Sequence, residues 1–123
     1  MIEGFEKETE ELNDFEKSLL PKFVAGLSTK KGKGAAITNK QMIAGLKDRG
    51  IEVGEARVRK IINHIRNTGL VEGLIATSKG YYVSNDIDEI NKYIESLLGR
   101  ESAIRIVREG FEAQIRRLKN IQP

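Results

Sequence analysis

Apolar side chains recur at helical spacing in the middle of the chain. Over residues 55–68, positions i, i+3, i+4 and i+7 are filled by Val58, Ile61, Ile62 and Ile65. This spacing puts the four side chains on one face and predicts an amphipathic helix. Gly69 follows directly and is well suited to end a helix.

A shorter helix is predicted just before it. Thr38 or Asn39 is the candidate N-cap, and Gly50 the candidate C-terminal glycine. Residues 51–54 then form a turn between the two helices, and Ala36 and Ile37 predict a very short strand ahead of them. The apolar stripe of this helix consists of Met42, Ile43 and Leu46.

Pro21 divides the apolar pattern of the first 27 residues. Residues 1–18 are acidic and carry Phe5, Leu12 and Phe15 at loose helical spacing, so they predict an N-terminal helical arm. A proline inside a helix loses a hydrogen bond and clashes with the preceding turn. We therefore expect the arm to end before Pro21 and a second helix, capped by Ser18, to carry Leu20, Phe23, Val24 and Leu27 on one face. Residues 28–34 are rich in lysine and glycine and predict a loop.

The last third begins with a hairpin pattern. Two β-rich runs flank Ser78-Lys79-Gly80 between residues 70 and 84. Ser84, Asn85 or Asp86 then caps a long helix that runs to about residue 120.

This last helix carries an apolar row at a strict spacing of seven. A second row is filled only in part by Ile94, Val107 and Ile115, with Arg100, Glu101 and Arg108 between them. Such a repeat is typical of a helix packed against another helix. Two partners fit: a second copy of the chain, or the N-terminal helix of the same chain. A helix of about 35 residues spans about 50 Å, which is too long for a domain of this size to cover. We therefore favour a homodimer. The dimerisation row is Ile90, Leu97, Ile104, Phe111 and Leu118.

Composition excludes several classes of protein. A chain of 123 residues with 39% apolar and 32% charged residues fits one globular domain. It has no cysteine and a single histidine, His64, so we expect no disulfide and no metal site. No apolar run approaches the 20 or so residues that cross a bilayer, and the acidic start does not resemble a signal peptide. We therefore expect a cytoplasmic protein without a membrane contact.

The net charge of +3 conceals a strongly basic middle. Residues 28–80 hold eleven basic and four acidic side chains, whereas residues 1–27 carry a charge of −4 and residues 81–123 are balanced. A basic segment within a nearly balanced chain is typical of a surface that meets phosphates. A solvated lysine-rich surface explains the same charge about as well.

The predicted order of elements is helix, short strand, helix, turn, helix, hairpin and long helix. It resembles the winged helix-turn-helix superfamily, on residues 37–43, 58–65 and 69–83. The Lys79-Gly80-Tyr81 tip looks most like the wings of small phage and mobile-element proteins. The fold class is then mainly α (α+β): an acidic helical arm over residues 1–18, a winged-helix domain over 19–84 and a long helix over 85–123.

The resemblance implies which residues meet DNA. In helix-turn-helix proteins the second helix of the motif enters the major groove. Here its outer face holds Ala56, Arg59, Lys60, Asn63 and Asn67, with Arg57 and His64 at one edge. Arg59 and Asn63 are candidates for base contacts, since arginine reads guanine and asparagine reads adenine. Phosphate contacts are expected from Lys60, Lys40 and Gln41, and Lys79 at the wing tip reaches either the DNA backbone or a minor groove. Lys30, Lys31 and Lys33 either contact the DNA backbone or merely solvate their loop.

No arrangement of residues indicates an enzyme. No nucleophile is accompanied by a base, and residues 26–34 depart from a phosphate-binding loop because Gly34 follows Lys33 where a serine or threonine belongs. We expect no catalytic residue, cofactor or small-molecule substrate. The favoured function is double-stranded DNA binding in transcription regulation or replication of a phage or mobile element. The alternative is a winged-helix module that docks other proteins of a replication or packaging assembly.

Overall fold

The computed structural model describes residues 10–121, which are mainly helical with one two-stranded antiparallel hairpin and a long C-terminal helix. The chain divides into two compact units, one ending at Asn85 and the other beginning at Asp86. In chain order the elements are helix α1 (Asp14–Ser28), a 3₁₀ turn (Lys33–Ala35), helices α2 (Asn39–Asp48) and α3 (Glu55–Thr68), strands β1 (Leu74–Thr77) and β2 (Gly80–Val83), and helix α4 (Ile87–Ile121).

Helix α1 continues through Pro21, so two expectations are wrong: the arm does not end before the proline, and Ser18 caps no new helix. The helix begins earlier, where Asn13 Oδ1 accepts from the Glu16 backbone N–H (2.8 Å) and Glu16 Oε1 accepts from that of Asn13 (2.9 Å). This reciprocal cap starts the helix at Asp14, about two turns before the proline. Pro21 lies on the exposed side, and residues on both sides of it are anchored in the core: Leu19, Phe23 and Leu27.

The predicted boundary between residues 18 and 19 therefore falls inside one helix. Leu12, which precedes that helix, is buried, whereas Phe15 is 42% exposed. Phe5 and the rest of residues 1–9 lie outside the described part of the chain.

Helix α2 has the predicted ends. Thr38 caps it in a reciprocal arrangement with Gln41, and Gly50 follows it with a φ of +79°. The expected short strand before it is a single antiparallel bridge between Ile37 and Tyr81. The expected loop is shorter and more ordered than predicted, because α1 extends to Ser28 and residues 30–32 bond to Val83 of β2.

Helix α3 forms over the predicted residues and supplies the centre of the core. Its four apolar side chains, Val58, Ile61, Ile62 and Ile65, are almost fully buried. Gly69 ends the helix in the left-handed conformation, as expected. Residues from α1, α2 and β1 complete this core, namely Leu19, Phe23, Leu27, Met42 and Leu74.

The hairpin forms with a two-residue turn, Ser78-Lys79. Thr77 pairs with Gly80 next to the turn, and Leu74 pairs with Val83 at the open end. Gly80 has a φ of +120°, and a Cβ there would lie 2.4 Å from the carbonyl oxygen of Ile37. Only glycine fits so close to that backbone, which explains the glycine at the hairpin tip.

Helix α4 begins at the expected cap. Asp86 Oδ1 accepts from the backbone N–H of Asp88 (2.9 Å) and of Glu89 (3.4 Å). The helix then runs for 35 residues to Ile121 and contains no buried residue. It passes through both Gly99 and Gly110 without a break. Within residues 10–121 no helix has the length and apolar character needed to cross a membrane.

Replacing Gly99 and Gly110 by alanine is expected to stabilise α4 by up to about 1 kcal/mol each, because glycine is a poor helix former. A Cβ at either position meets no atom within 4 Å, so nothing opposes the change. The measurement is thermal unfolding followed by the helical circular dichroism signal. A lower midpoint in both variants would contradict an unstrained helix at these glycines.

Candidate nucleic-acid interface

The side of α3 that faces away from its buried isoleucines is polar. Ala56 and Asn67 are exposed, the Arg59 side chain is 41% exposed, and Asn63 is half-buried. Arg59 Nη1 lies 3.9 Å from Oε1 of Glu55, four residues earlier. An exposed pair at this distance contributes little to stability. The structure thus brings Ala56, Arg59 and Asn63 to one face, which we call the α3 outer face.

Lys60 does not join the α3 outer face, so its expected place on the exposed side of the helix is wrong. Its Nζ donates to Glu16 Oε1 at 2.7 Å, and its side chain is only 12% exposed. At the edge of α3 next to α1, the long stem of Lys60 reaches a carboxylate that is itself 3% exposed. Lys60 therefore serves the fold as the partner of a buried charge.

Arg57 lies beside the same carboxylate. Its Nε is 3.4 Å from Glu16 Oε2, and its Cζ lies 5.0 Å from the centre of the Phe15 ring. The Arg57 side chain remains 41% exposed. We call Glu16, Arg57 and Lys60 the Glu16 cluster; it links α1 to α3 next to the α3 outer face.

The sequence patterns did not predict that Glu16 is buried and paired with two cations. Burial raises the pKa of its carboxyl, but the hydrogen bonds from Lys60 and Asn13 and the charges of Lys60 and Arg57 outweigh that effect and hold the pKa below its ordinary value of 4.5. The spacing Asn13-x-x-Glu16 resembles a capping box and was the signal that could have placed a helix start here.

The lowered pKa predicts a specific loss of stability in acid. The unfolded chain binds a proton at Glu16 near pH 4.5, whereas the folded chain resists it. The stabilisation is therefore complete above about pH 4.5 and is lost as the pH falls through the folded-state pKa. Urea unfolding between about pH 7 and pH 3 should show a steeper loss for the wild type than for Glu16→Gln, which keeps the capping oxygen. Parallel curves for the two proteins would contradict this.

Further cations lie on the elements next to α3. Lys40 is exposed in the first turn of α2, and Lys79 is exposed at the hairpin turn. Lys31 and Lys33 are exposed and Lys30 is half-buried, on a segment whose backbone is hydrogen-bonded to β2. All five lysines therefore lie on helix, hairpin or hydrogen-bonded segments of the backbone.

Gln41 has two roles in the structure. Its side-chain oxygen accepts from the Thr38 backbone N–H at 2.9 Å, so it helps to start α2. It also lines a cavity of about 200 Å³ between α1 and α2, which we call the α1–α2 groove. The apolar walls of this groove include Phe23, Leu27, Ile37, Met42 and Leu46, and its charged side chains are Lys22, Lys30 and Arg49.

In residues 10–121 no group of three or more histidine or acidic side chains is placed to hold a metal ion. His64 is half-buried on α3. Comparison with known proteins gives no relative: no family model, no curated protein and no solved structure matches this chain.

Proposed function

We propose that the unit ending at Asn85 is a winged-helix domain that binds double-stranded DNA. In this proposal α2, the turn after it and α3 form the helix-turn-helix, and the β1–β2 hairpin is the wing. The sequence resemblance to phage and mobile-element proteins supports a role in transcription regulation or replication. The protein acts by binding alone, without catalysis.

The α3 outer face is the observation that carries the proposal. Ala56 is small enough to let the helix approach base edges closely. Arg59 and Asn63, one helical turn apart, carry the side chains that read guanine and adenine in the major groove. A face used to dock a protein would be expected to expose large apolar side chains, and this face exposes none.

Lysines around this face supply the phosphate contacts. Lys40 and Lys79 lie on the elements that flank α3 in the motif, and Lys31 and Lys33 lie on the segment bonded to β2. Four such contacts give a logarithmic salt dependence with a slope of about −3.6. Lys60 is left out because Glu16 already neutralises it.

The test is a fluorescence-anisotropy titration with random-sequence 20-base-pair duplex at about 50 and 200 mM salt. Four phosphate contacts predict a loss of affinity of roughly hundred-fold between the two conditions. A single strand of equal length serves as the control and should bind more weakly. A folded protein that binds no duplex at the lower salt would overturn the proposal.

The proposal includes a homodimer through α4. Its apolar row is at least partly exposed in the single chain, with Leu97 39% and Ile104 69% exposed. Most helices in proteins depend on packing of an apolar face, and the two internal glycines weaken this one further. A second copy of the same row provides that packing.

The α1–α2 groove favours a second candidate function, the docking of another protein. Its walls are apolar and its charged side chains are all cations, so it fits an acidic segment with one or two large apolar side chains. Gly26 and Gly45 line it, and a Cβ at either would meet nothing within 4 Å. Both glycines therefore leave space that a partner side chain could fill.

Gly45→Leu separates the two functions, because a leucine there fills the α1–α2 groove, whose lining includes no residue of the α3 outer face. A peptide of residues 1–9, which is acidic and carries Ile2 and Phe5, is a probe of the required chemistry. Docking predicts that the variant loses peptide binding and keeps duplex affinity. Equal peptide binding by both proteins would exclude the groove.

A further inference from the structure

The apolar row of α4 forms a heptad seam with either of two neighbouring rows. We use the row that contributes three isoleucines; the other contributes Tyr93, Val107 and Ile121 beside Arg100 and Gln114. With Ile90 at position d, the d positions are Ile90, Leu97, Ile104, Phe111 and Leu118, and the a positions are Ile87, Ile94, Glu101, Arg108 and Ile115. Eight of these ten positions are apolar. Gly99 and Gly110 then fall on the outer side of the helix, where they would meet no partner.

Glu101 and Arg108 are the two charged positions of this seam. They have opposite signs, lie one heptad apart and flank Ile104, the middle residue of α4. Both side chains are exposed in the single chain. Arg108 there pairs with Glu112, four residues on, and an exposed pair of this kind is too weak to hold it away from another carboxylate.

A parallel dimer would place like charges together. In a parallel, in-register pair each a position faces the same position of the partner, so Glu101 meets the partner's Glu101 and Arg108 meets the partner's Arg108. Two like-charge pairs would then lie next to the central apolar layer. Both pairs oppose association, because neither charge finds a counter-ion within the seam.

An antiparallel dimer places opposite charges together. In such a pair a positions face d positions, and two registers give nearly full overlap of the helices. One puts Glu101 opposite the partner's Ile104, and the other puts it opposite the partner's Phe111. In both registers Glu101 and the partner's Arg108 occupy neighbouring layers, about 5 Å apart along the axis. Arginine and glutamate side chains are long enough to meet across that distance, and two-fold symmetry forms the pair twice. One like-charge pair also lies at the two-fold axis, Glu101 with the partner's Glu101 in the first register and Arg108 with the partner's Arg108 in the second. The opposite-charge pairs outnumber it two to one.

We propose that α4 pairs with a second copy of itself in antiparallel orientation, with Glu101 of each helix bound to the partner's Arg108. This inference rests on the proposed homodimer and adds its orientation. The two helix N-termini then lie at opposite ends of the paired helices. Each N-terminus is joined to one of the proposed DNA-binding units.

Spin-label distances test the orientation directly, because the chain has no cysteine and a single introduced one is labelled cleanly. Labels go on the full-length protein at Asn91→Cys, near the start of α4, or at Ala103→Cys, near its middle. The antiparallel pair predicts about 35–45 Å between the two Asn91→Cys labels and less than about 25 Å between the Ala103→Cys labels.

The other outcomes have distinct signatures. Short distances at both positions would show a parallel dimer, which overturns the orientation and leaves the homodimer standing. No dipolar signal at either position would show a monomer and overturn both. Either result leaves the duplex-binding proposal untouched, because DNA affinity is measured separately.

Charge reversal gives an independent readout of the same pair. In the antiparallel dimer Glu101→Arg creates two like-charge pairs, and we expect dimer affinity measured by sedimentation to fall by about ten-fold or more. The double variant Glu101→Arg/Arg108→Glu restores both pairs and should recover the affinity. An unchanged affinity in Glu101→Arg is the result expected of a parallel dimer and would contradict the proposal.

Discussion

A Lys60→Met variant is expected to lose about 2–3 kcal/mol of unfolding free energy. Methionine keeps the length of the stem and removes the ammonium that donates to Glu16 at 2.7 Å. The carboxylate stays 3% exposed, with only the more distant Arg57 to balance it. Removing one partner of a buried pair is costly because it leaves a buried charge without its counter-ion.

The double variant Glu16→Gln/Lys60→Met isolates this cause. Glutamine keeps the oxygen that accepts from the Asn13 backbone N–H, so the start of α1 is preserved. We expect the double variant to be more stable than Lys60→Met alone, measured by urea unfolding at neutral pH. Lys47→Met, an exposed lysine on α2, is the matched control and should change stability by less than about 0.5 kcal/mol. A Lys60→Met protein as stable as that control would contradict the buried-pair account.

Removing the four proposed phosphate contacts is expected to weaken duplex binding by at least about hundred-fold at moderate salt. Each lost contact should also reduce the salt slope by about one. The variant carries glutamine at Lys31, Lys33, Lys40 and Lys79, all exposed, so the fold should be unchanged. Its affinity is measured with the same random duplex as the wild type.

A second variant controls for net charge. It carries glutamine at four exposed lysines outside the proposed interface: Lys17, Lys47, Lys92 and Lys119. Both variants have the same net charge, so any general electrostatic attraction falls equally in the two. We expect the control to lose less than about ten-fold in affinity. Equal losses in the two variants would show that binding depends on overall charge and uses no particular surface.

Local chemistry was sufficient to predict α2, α3 and the hairpin turn. The α3 face of Val58, Ile61, Ile62 and Ile65 is so regular that only a helix buries all four, and Gly69 ends it by adopting a positive φ. Thr38 and Gln41 satisfy the free backbone groups at the start of α2. These signals lie within a few residues of the element that they define.

The errors involve contacts between residues distant in sequence. Pro21 does weaken a helix, but burial of Phe23 and Leu27 after it and the cap at Asn13 before it outweigh that cost. Lys60 projects to the polar side of α3, and only the position of α1 reveals that a carboxylate 44 residues earlier takes it. Helical periodicity describes one helix at a time. It therefore predicts neither the continuation of α1 through Pro21 nor the pairing of Lys60 with Glu16.

DNA binding by the α3 outer face is tested most directly by mapping backbone amide shifts by NMR while duplex DNA is added at low salt. We expect the largest changes at Ala56, Arg59 and Asn63 of α3 and at Lys79 in the hairpin turn. Amides of the α1–α2 groove and of α4 should change little. Changes concentrated in that groove, or none at all at saturating duplex, would contradict a DNA-binding role for the α3 outer face.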